Sequence, residues 1–105
     1  RDFVHVDDVV QANLKAARNS GTSGAFNIAS ASQMQILELA QTVNSYVDRP
    51  VAIEHVGERA GDVAHSLADV SAAQRAFGYV PQVEMGPGLA QYMAWAKQEV
   101  IRQDG

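Results

Sequence analysis

Apolar residues recur every three or four positions in several parts of the chain, which is the period of an α-helix with one buried face. The first stripe consists of Val6, Val10, Asn13, Leu14 and Ala17. The second consists of Ile36, Leu39, Ala40, Val43 and Val47. The last consists of Leu89, Tyr92, Met93, Ala96 and Val100. We expect these stripes to face the core. A shorter helix is predicted from Asp69 to Phe77, with Gly78 at its C-terminal end.

Side chains that accept hydrogen bonds stand at the predicted start of three of these helices. Asp7 or Asp8 can cap the first helix, because a carboxylate accepts from the free N–H groups of the first turn. Ser32 and Gln35 have the spacing of a capping box ahead of the second helix. Asp69 can cap the third helix in the same way.

Three short segments have the composition of β-strands. Residues 2–6 and 51–56 alternate between polar and apolar positions, and residues 25–29 read as a short buried strand. The predicted order is therefore β-α-β-α-β followed by two helices, which is an α/β arrangement with too few strands for a complete doubly wound sheet. We expect residues 1–105 to form a single domain with an incomplete Rossmann-type fold.

Composition excludes several classes of protein. The 105 residues are 47% hydrophobic and 19% charged, which is typical of a globular domain, and the net charge of −4 argues against nucleic-acid or anionic membrane partners. Cysteine is absent, so thiolate metal sites and disulfides are excluded, and a cytoplasmic location is expected. The three histidines lack the spacing of a metal site, so we expect no metal. No apolar run approaches the roughly 18 residues of a membrane span.

Two motifs carry a resemblance to a known family. The run from Arg1 to Asp8 and the run from Arg59 to Val63 resemble anchor segments of the NAD-dependent nucleotide-sugar epimerase/dehydratase family, the extended short-chain dehydrogenase/reductases that include UDP-glucose 4-epimerase. No Gly-rich GxxGxxG turn is present, and no Tyr is followed four residues later by Lys. The chain therefore resembles the small C-terminal, substrate-binding region of such an enzyme, without its cofactor site or catalytic pair.

The resemblance implies a site for a nucleotide-diphosphate sugar at Arg1, Phe3, Arg59 and Asp62. In the family, the two arginines contact the diphosphate and the acid accepts from a ribose hydroxyl; the planar guanidinium suits phosphate oxygens. Gly61 would allow a sharp turn. The resemblance further implies that NAD serves the complete enzyme, with an isomerase or dehydratase activity, and that this chain holds neither cofactor-binding nor catalytic residues.

Other interpretations of the same residues remain open. The arginines can be ordinary surface residues, and Asp62 can close an Asx turn. Asp7 and Asp8 fit helix capping better than acid/base catalysis. The chain can also be a free-standing structural or interaction module that has lost its ligand. A homodimer is a further possibility, paired through strand edges at residues 26–28 and the stripe of the second helix. Tyr92 and Trp95 are expected in the core rather than in a sugar-stacking platform.

Overall fold

The computed structural model of the protein describes residues 1–104 and contains four α-helices there. They are α1 (Val6–Arg18), α2 (Ile36–Asn44), α3 (Ser71–Phe77) and α4 (Met85–Asp104). Helices α1, α2 and α4 lie where the apolar periodicity predicts a helix, although α2 ends before Val47, and α3 lies within the short helix predicted from Asp69 to Phe77. None of the helices in residues 1–104 combines the length and the apolarity needed to cross a membrane.

The predicted strands are not found in the described residues, so the α/β assignment is not confirmed for this chain. A strand requires a ladder of hydrogen bonds with a neighbouring strand. Each predicted strand segment makes at most an isolated pair of such hydrogen bonds. Arg1 and Met34 exchange two backbone hydrogen bonds, of 2.9 and 3.1 Å. The Asn44 side chain bonds both backbone groups of Val51, at 2.8 and 3.0 Å. These isolated pairs hold the segments in place without forming a sheet.

The side chains predicted to cap α1, α2 and α3 are not the N-caps of these helices. His5, rather than an aspartate, caps α1, because its Nδ1 accepts a hydrogen bond from the Asp7 N–H at 3.0 Å. Gln35 is the N-cap of α2, but its side chain makes no capping hydrogen bond. The N-cap of α3 is Val70, and the Asp69 carboxylate just before it accepts from the Ser71 N–H at 2.9 Å, which lowers the pKa of Asp69. Gly78 ends that helix with φ +75°, as predicted.

Helix α1 packs through its polar side. Four residues at helical spacing each bond the backbone of the segment 76–83, in an arrangement that we call the polar ladder. Asp8 accepts from the N–H groups of Gln82 (2.9 Å) and Val83 (3.2 Å), Gln11 donates to the carbonyl of Val80 (3.2 Å), Lys15 to that of Gly78 (2.9 Å) and Asn19 to that of Ala76 (2.7 Å). Helix α1 and the segment 76–83 run in opposite directions. One helical turn rises about 5.4 Å, which roughly matches the length of two extended residues, about 6.6 Å.

The apolar stripe of α1 therefore faces outward, contrary to the sequence-based expectation. Val6 is 65% exposed, Val10 49% and Leu14 50%, whereas Asp8 and Ala12 are buried. The helix has an apolar and a polar side, as its periodicity indicates, but the polar side is the one that this chain covers.

The core of the chain is small and centres on Tyr79. This residue is fully buried together with Ala12 and Ala73, and the half-buried side chains of Phe26, Ile28, Val70 and Phe77 pack around them. The Phe26 and Phe77 rings meet edge to face, with centroids 5.3 Å apart. The strand-edge residues at 26–28 are thus partly covered by the chain's own core, which weakens the case for a dimer formed there.

The chain as a whole is open in shape. Its radius of gyration is 16.9 Å, whereas a compact domain of this length has about 13 Å. Its accessible surface is 8041 Å², against about 5,700 Å² for a folded monomer of this mass. A considerable area that a self-contained domain would bury is left uncovered here.

Candidate functional site

The segment that carries Arg1 is held in position by residues 30–34. The Asp2 carboxylate accepts hydrogen bonds from the N–H groups of Ser30 (2.9 Å) and Ala31 (3.1 Å), and also from the Ser30 hydroxyl. These bonds stabilise Ala31 at φ +58°, a left-handed conformation that favours glycine. Together with the two backbone bonds between Arg1 and Met34, they fix the backbone of Arg1, the first candidate phosphate ligand, and of the residue that follows it.

Arg59 and Asp62 lie at the two ends of a tight turn. The Asp62 N–H donates to the Arg59 carbonyl at 3.3 Å, and Gly61 has φ +87°. A positive φ near +80° at the third of four residues is the mark of a type II turn, which requires glycine at that position. Within residues 1–104 the Asp62 carboxylate accepts no hydrogen bond, so the Asx turn is not found. The backbone bond and Gly61 form the turn instead.

One hydrogen bond connects the Arg1 segment to the chain that follows this turn. The Gln33 side-chain amide, next to Met34, donates to the carbonyl of Ser66 at 3.3 Å, four residues beyond Asp62. Neither Arg1 nor Arg59 takes part in an ion pair with any residue from 1 to 104. Both guanidinium groups are therefore free to bind an anion.

Phe3, the fourth candidate residue, lies in a different place. It lines an open cleft of about 690 Å³ that the other three candidates do not touch. The cleft is largely apolar, and its walls include His5, Leu39, Leu89, Tyr92 and Trp95. The structure therefore brings Phe3 to an apolar cleft and leaves the two arginines and Asp62 outside it.

Tyr92 and Trp95 stand at the edge of this cleft rather than in the core. They are 54% and 56% exposed, and their ring centroids are 5.8 Å apart. The expectation of a core position is wrong for both, because the face of α4 that the chain covers carries Met93 and Gly88 instead. At Gly88 an added Cβ would lie 2.8 Å from the Val83 side chain, so this close approach requires glycine.

Asp7 and Asp8 do not form a paired-carboxylate site. Asp8 is 1% exposed and is bonded to two backbone amides of the polar ladder. Asp7 is exposed, and its carboxylate lies 3.8 Å from the Nδ1 atom of His5. The two side chains have separate environments, which agrees with a structural role for Asp8.

Comparison with known proteins gives one consistent class. The chain is 30% identical, over 105 residues, to the dTDP-L-rhamnose 4-epimerase of Burkholderia thailandensis, a match that covers 99% of this chain and 29% of that enzyme. It is 33% identical over 90 residues to the UDP-glucose 4-epimerase of Mycolicibacterium smegmatis, covering 86% of this chain and 29% of the relative. No family model matches the chain.

Solved structures of the same class share its fold. The UDP-glucose-4-epimerase of Stenotrophomonas maltophila, with bound NAD and formylated UDP-arabinopyranose, superposes with a TM-score of 0.82 at 28% identity, over 100% of this chain and 32% of that one. The Bordetella bronchiseptica enzyme WbmG, in complex with NAD and UDP, gives a TM-score of 0.80 at 26% identity, over 93% and 31%.

Three of these four proteins are 4-epimerases of nucleotide sugars, and both solved structures hold NAD. The chain belongs to this epimerase/dehydratase family and matches a C-terminal fragment of its members. It spans about 30% of the length of the relatives that it matches.

Proposed function

We propose that the chain is the nucleotide-sugar-binding portion of an NAD-dependent epimerase or dehydratase, with Arg1 and Arg59 at the diphosphate and Asp62 at the ribose. The observation that carries the proposal is the glycine-dependent turn from Arg59 to Asp62, which holds a free guanidinium and a free carboxylate a few residues apart. The UDP and the UDP-sugar bound in the solved relatives support it.

The chemistry of these side chains suits such a ligand. A guanidinium offers a planar fork of donors to two phosphate oxygens and stays charged at any working pH. A carboxylate that accepts no hydrogen bond within the chain can accept from two ribose hydroxyls. Phe3 would then contribute apolar contact from the neighbouring cleft. Closure of the site requires Phe3 and the turn to approach the same ligand.

The described residues do not fit NAD itself. A dinucleotide site needs a glycine-rich turn between a strand and the N-terminus of a helix. In residues 1–104 each helix follows irregular chain, and the N-caps of α1 and α3 are His5 and Val70 rather than glycines. We therefore assign the NAD-dependent chemistry to the part of the relatives that this chain does not match.

The proposal also accounts for the two extended segments that flank α1. Residues 1–5 and 25–29 run without regular structure in the chain alone. In a complete enzyme they would act as strands, since a Rossmann-type sheet offers the neighbours that a ladder requires.

Binding of UDP tests the proposal. Two arginine–phosphate contacts at an open site should contribute about 3–5 kcal/mol, so we expect a Kd near 1 mM. Amide chemical shifts measured during titration with UDP should change at residues 1–3 and 59–62. Arg59→Ala should abolish these changes. Arg102→Ala is the matched control, because the Arg102 side chain is 80% exposed and pairs with Glu99, far along the chain from the candidate residues.

The phosphate dependence has its own control. Uridine without phosphate should leave the shifts of residues 59–62 unchanged at the same concentrations. Shift changes that cluster elsewhere, or an Arg59→Ala chain that binds UDP as well as the wild type, would refute the assigned site.

We expect the isolated chain to have no epimerase activity. Its described residues do not fit NAD, and its sequence has no Tyr that is followed four residues later by Lys. Incubation with NAD and UDP-glucose should yield no UDP-galactose above a buffer blank, as measured by chromatography of the sugar nucleotides. Measurable conversion would show that catalytic groups lie in this chain after all.

An interaction module without a ligand is the second candidate function. The large uncovered apolar surface favours it. A chain that associates with a protein partner but shows no shift change with UDP would decide for this alternative.

A further inference from the structure

Asp2 binds three donors of a distant loop, although it lies next to Arg1 in the sequence. Its carboxylate accepts from the Ser30 N–H at 2.9 Å and from the Ala31 N–H at 3.1 Å, and the Ser30 hydroxyl is the third donor. The donors are 28 and 29 residues away along the chain. A half-buried carboxylate with three donors from one loop holds its own backbone firmly against that loop.

The loop that Asp2 binds has a backbone conformation that alanine disfavours. Ala31 has φ +58°, and no other non-glycine residue between 1 and 104 has a positive φ. The conformation is strained, because the Cβ atom approaches the following carbonyl oxygen. Ala31 is exposed, so core packing does not impose it. The hydrogen bonds from residues 30 and 31 to Asp2 therefore offset the strain.

The same loop also bonds the backbone of Arg1. The Met34 N–H donates to the Arg1 carbonyl at 2.9 Å, and the Arg1 backbone nitrogen donates to the Met34 carbonyl at 3.1 Å. Residues 1 and 2 are thus bonded to both ends of the loop 30–34. The Arg1 guanidinium makes no ion pair with any residue from 1 to 104, Asp2 included. Asp2 therefore acts on the Arg1 backbone and leaves its side chain free for a ligand.

We propose that Asp2 is a positioning residue for the phosphate contact of Arg1. Through its bonds to residues 30 and 31 it holds the backbone from which the Arg1 guanidinium reaches the diphosphate, and it does not touch the ligand itself. The inference rests on the proposed function, because it needs Arg1 to bind the nucleotide. A guanidinium on a fixed backbone loses less conformational freedom on binding, so this preorganisation raises affinity.

The charge of Asp2 separates this role from simple electrostatics. A carboxylate close to an anion site repels the anion, so Asp2→Asn should by charge alone strengthen the binding of UDP. Positioning predicts the opposite sign, because the asparagine amide replaces one acceptor oxygen with a donor that faces the N–H groups of the loop. A loss of affinity in this variant would therefore come from geometry.

Titration of the 105-residue chain with UDP, followed by amide chemical shifts, tests the proposal. Asp2→Asn should raise the Kd about fivefold or more and abolish the shift changes at residues 2–3. The changes at residues 59–62 should persist at higher UDP concentration. Asp48→Asn is the matched control, because Asp48 is exposed and its substitution changes the net charge equally. This control should bind UDP as the wild type does.

Two substitutions at Ala31 change the loop without changing its charge. Ala31→Val disfavours the left-handed conformation, because a β-branched side chain is crowded there, and it should weaken UDP binding as Asp2→Asn does. Ala31→Gly relieves the strain and should bind UDP as the wild type does. Because Ala31 is exposed, neither change disturbs the core around Tyr79. The pair therefore decides the question even where Asp2→Asn lowers stability.

Two further measurements separate positioning from a general loss of stability. In the free chain, the strong intraresidue NOE between the Ala31 N–H and Hα protons, which marks a positive φ, should weaken in Asp2→Asn while the helical circular dichroism signal remains. In an Arg1→Ala background, Asp2→Asn should have no further effect on the Kd for UDP, since Asp2 then has no guanidinium to position. A structural role alone would weaken binding equally in both backgrounds.

The outcomes distinguish this inference from the proposed function. A wild-type chain that binds no UDP refutes the proposed function, and the role of Asp2 with it. A wild type that binds UDP, together with Asp2→Asn and Ala31→Val chains of unchanged or higher affinity, refutes the role of Asp2 alone. Equal losses from Asp2→Asn with and without Arg1 would also overturn it, because they would assign Asp2 to the stability of the chain.

Discussion

A Tyr79→Ala chain is expected to be largely unfolded at 25 °C. Tyr79 is the largest fully buried side chain, and the cluster around it contains only two other fully buried residues, Ala12 and Ala73. Removing a buried aromatic ring costs about 3–5 kcal/mol, which is comparable with the whole stability of a small domain. Loss of the circular dichroism signal at 222 nm, and of a cooperative urea transition, measures the effect.

Tyr79→Phe is the control for this prediction. It keeps the ring but removes the hydroxyl that donates to the Ala29 carbonyl at 2.7 Å. One hydrogen bond and one unsatisfied carbonyl should cost about 1–2 kcal/mol, so this variant should still fold. A Tyr79→Ala chain that unfolds at the same urea concentration as the wild type would show that the stability resides elsewhere.

Burial of Tyr79 also makes the stability of the folded chain depend on pH. Desolvation raises the pKa of Tyr79 above its ordinary value of 10.0, and the nearby Asp8 and Asp2 charges add to the effect. The folded chain thus favours the neutral phenol. Its contribution to stability is present below pH 10 and is lost as the pH rises through the pKa of the folded state. In the Tyr79→Phe chain this alkaline loss should be absent.

Asp8→Ala is expected to lower the free energy of unfolding by about 3 kcal/mol, since it removes two charge-assisted hydrogen bonds to the backbone. Those bonds hold the N–H groups of Gln82 and Val83, so amide exchange at these two positions should accelerate more than elsewhere. Urea unfolding and hydrogen exchange measure the two effects.

Asp7→Ala is the matched control for Asp8→Ala. Asp7 is a neighbouring carboxylate in the same helical turn, but it is exposed. Its removal should cost less than about 1 kcal/mol, chiefly through the lost interaction with the helix dipole. Equal effects of the two substitutions would contradict a special role for the polar ladder.

The parts of the fold that depend on neighbouring residues could be predicted from the sequence. The positions of all four helices, the Asp69 side-chain bond and the Gly78 terminus follow from patterns a few residues long. The turn from Arg59 to Asp62 is equally local, because Gly61 alone permits its positive φ. Each of these features is decided within one or two turns of chain.

Contacts between distant parts of the chain could not be predicted. Periodicity compares the hydrophobicity of side chains, and it placed the apolar stripe of α1 in the core. The observed partners of α1 are backbone groups 57 to 75 residues away, and no pattern in the side chains indicates them. The hydrogen bonds from the Ser30 and Ala31 N–H groups to the Asp2 carboxylate could not be predicted for the same reason. The strands depend on neighbours that this chain does not supply.

The polar ladder makes the segment 76–83 sensitive to length, although its contacts do not depend on the side chains of Val80 and Gln82. Its contacts engage carbonyl and N–H groups, which every residue except proline offers alike. Exchanging Val80 or Gln82 for another residue leaves those groups in place. A single-residue insertion after Gly78 would instead shift every later contact by one position relative to α1, and Asp8 would lose its two amides. Substitution is thus open at Val80 and Gln82, whereas insertion or deletion is closed to the whole segment.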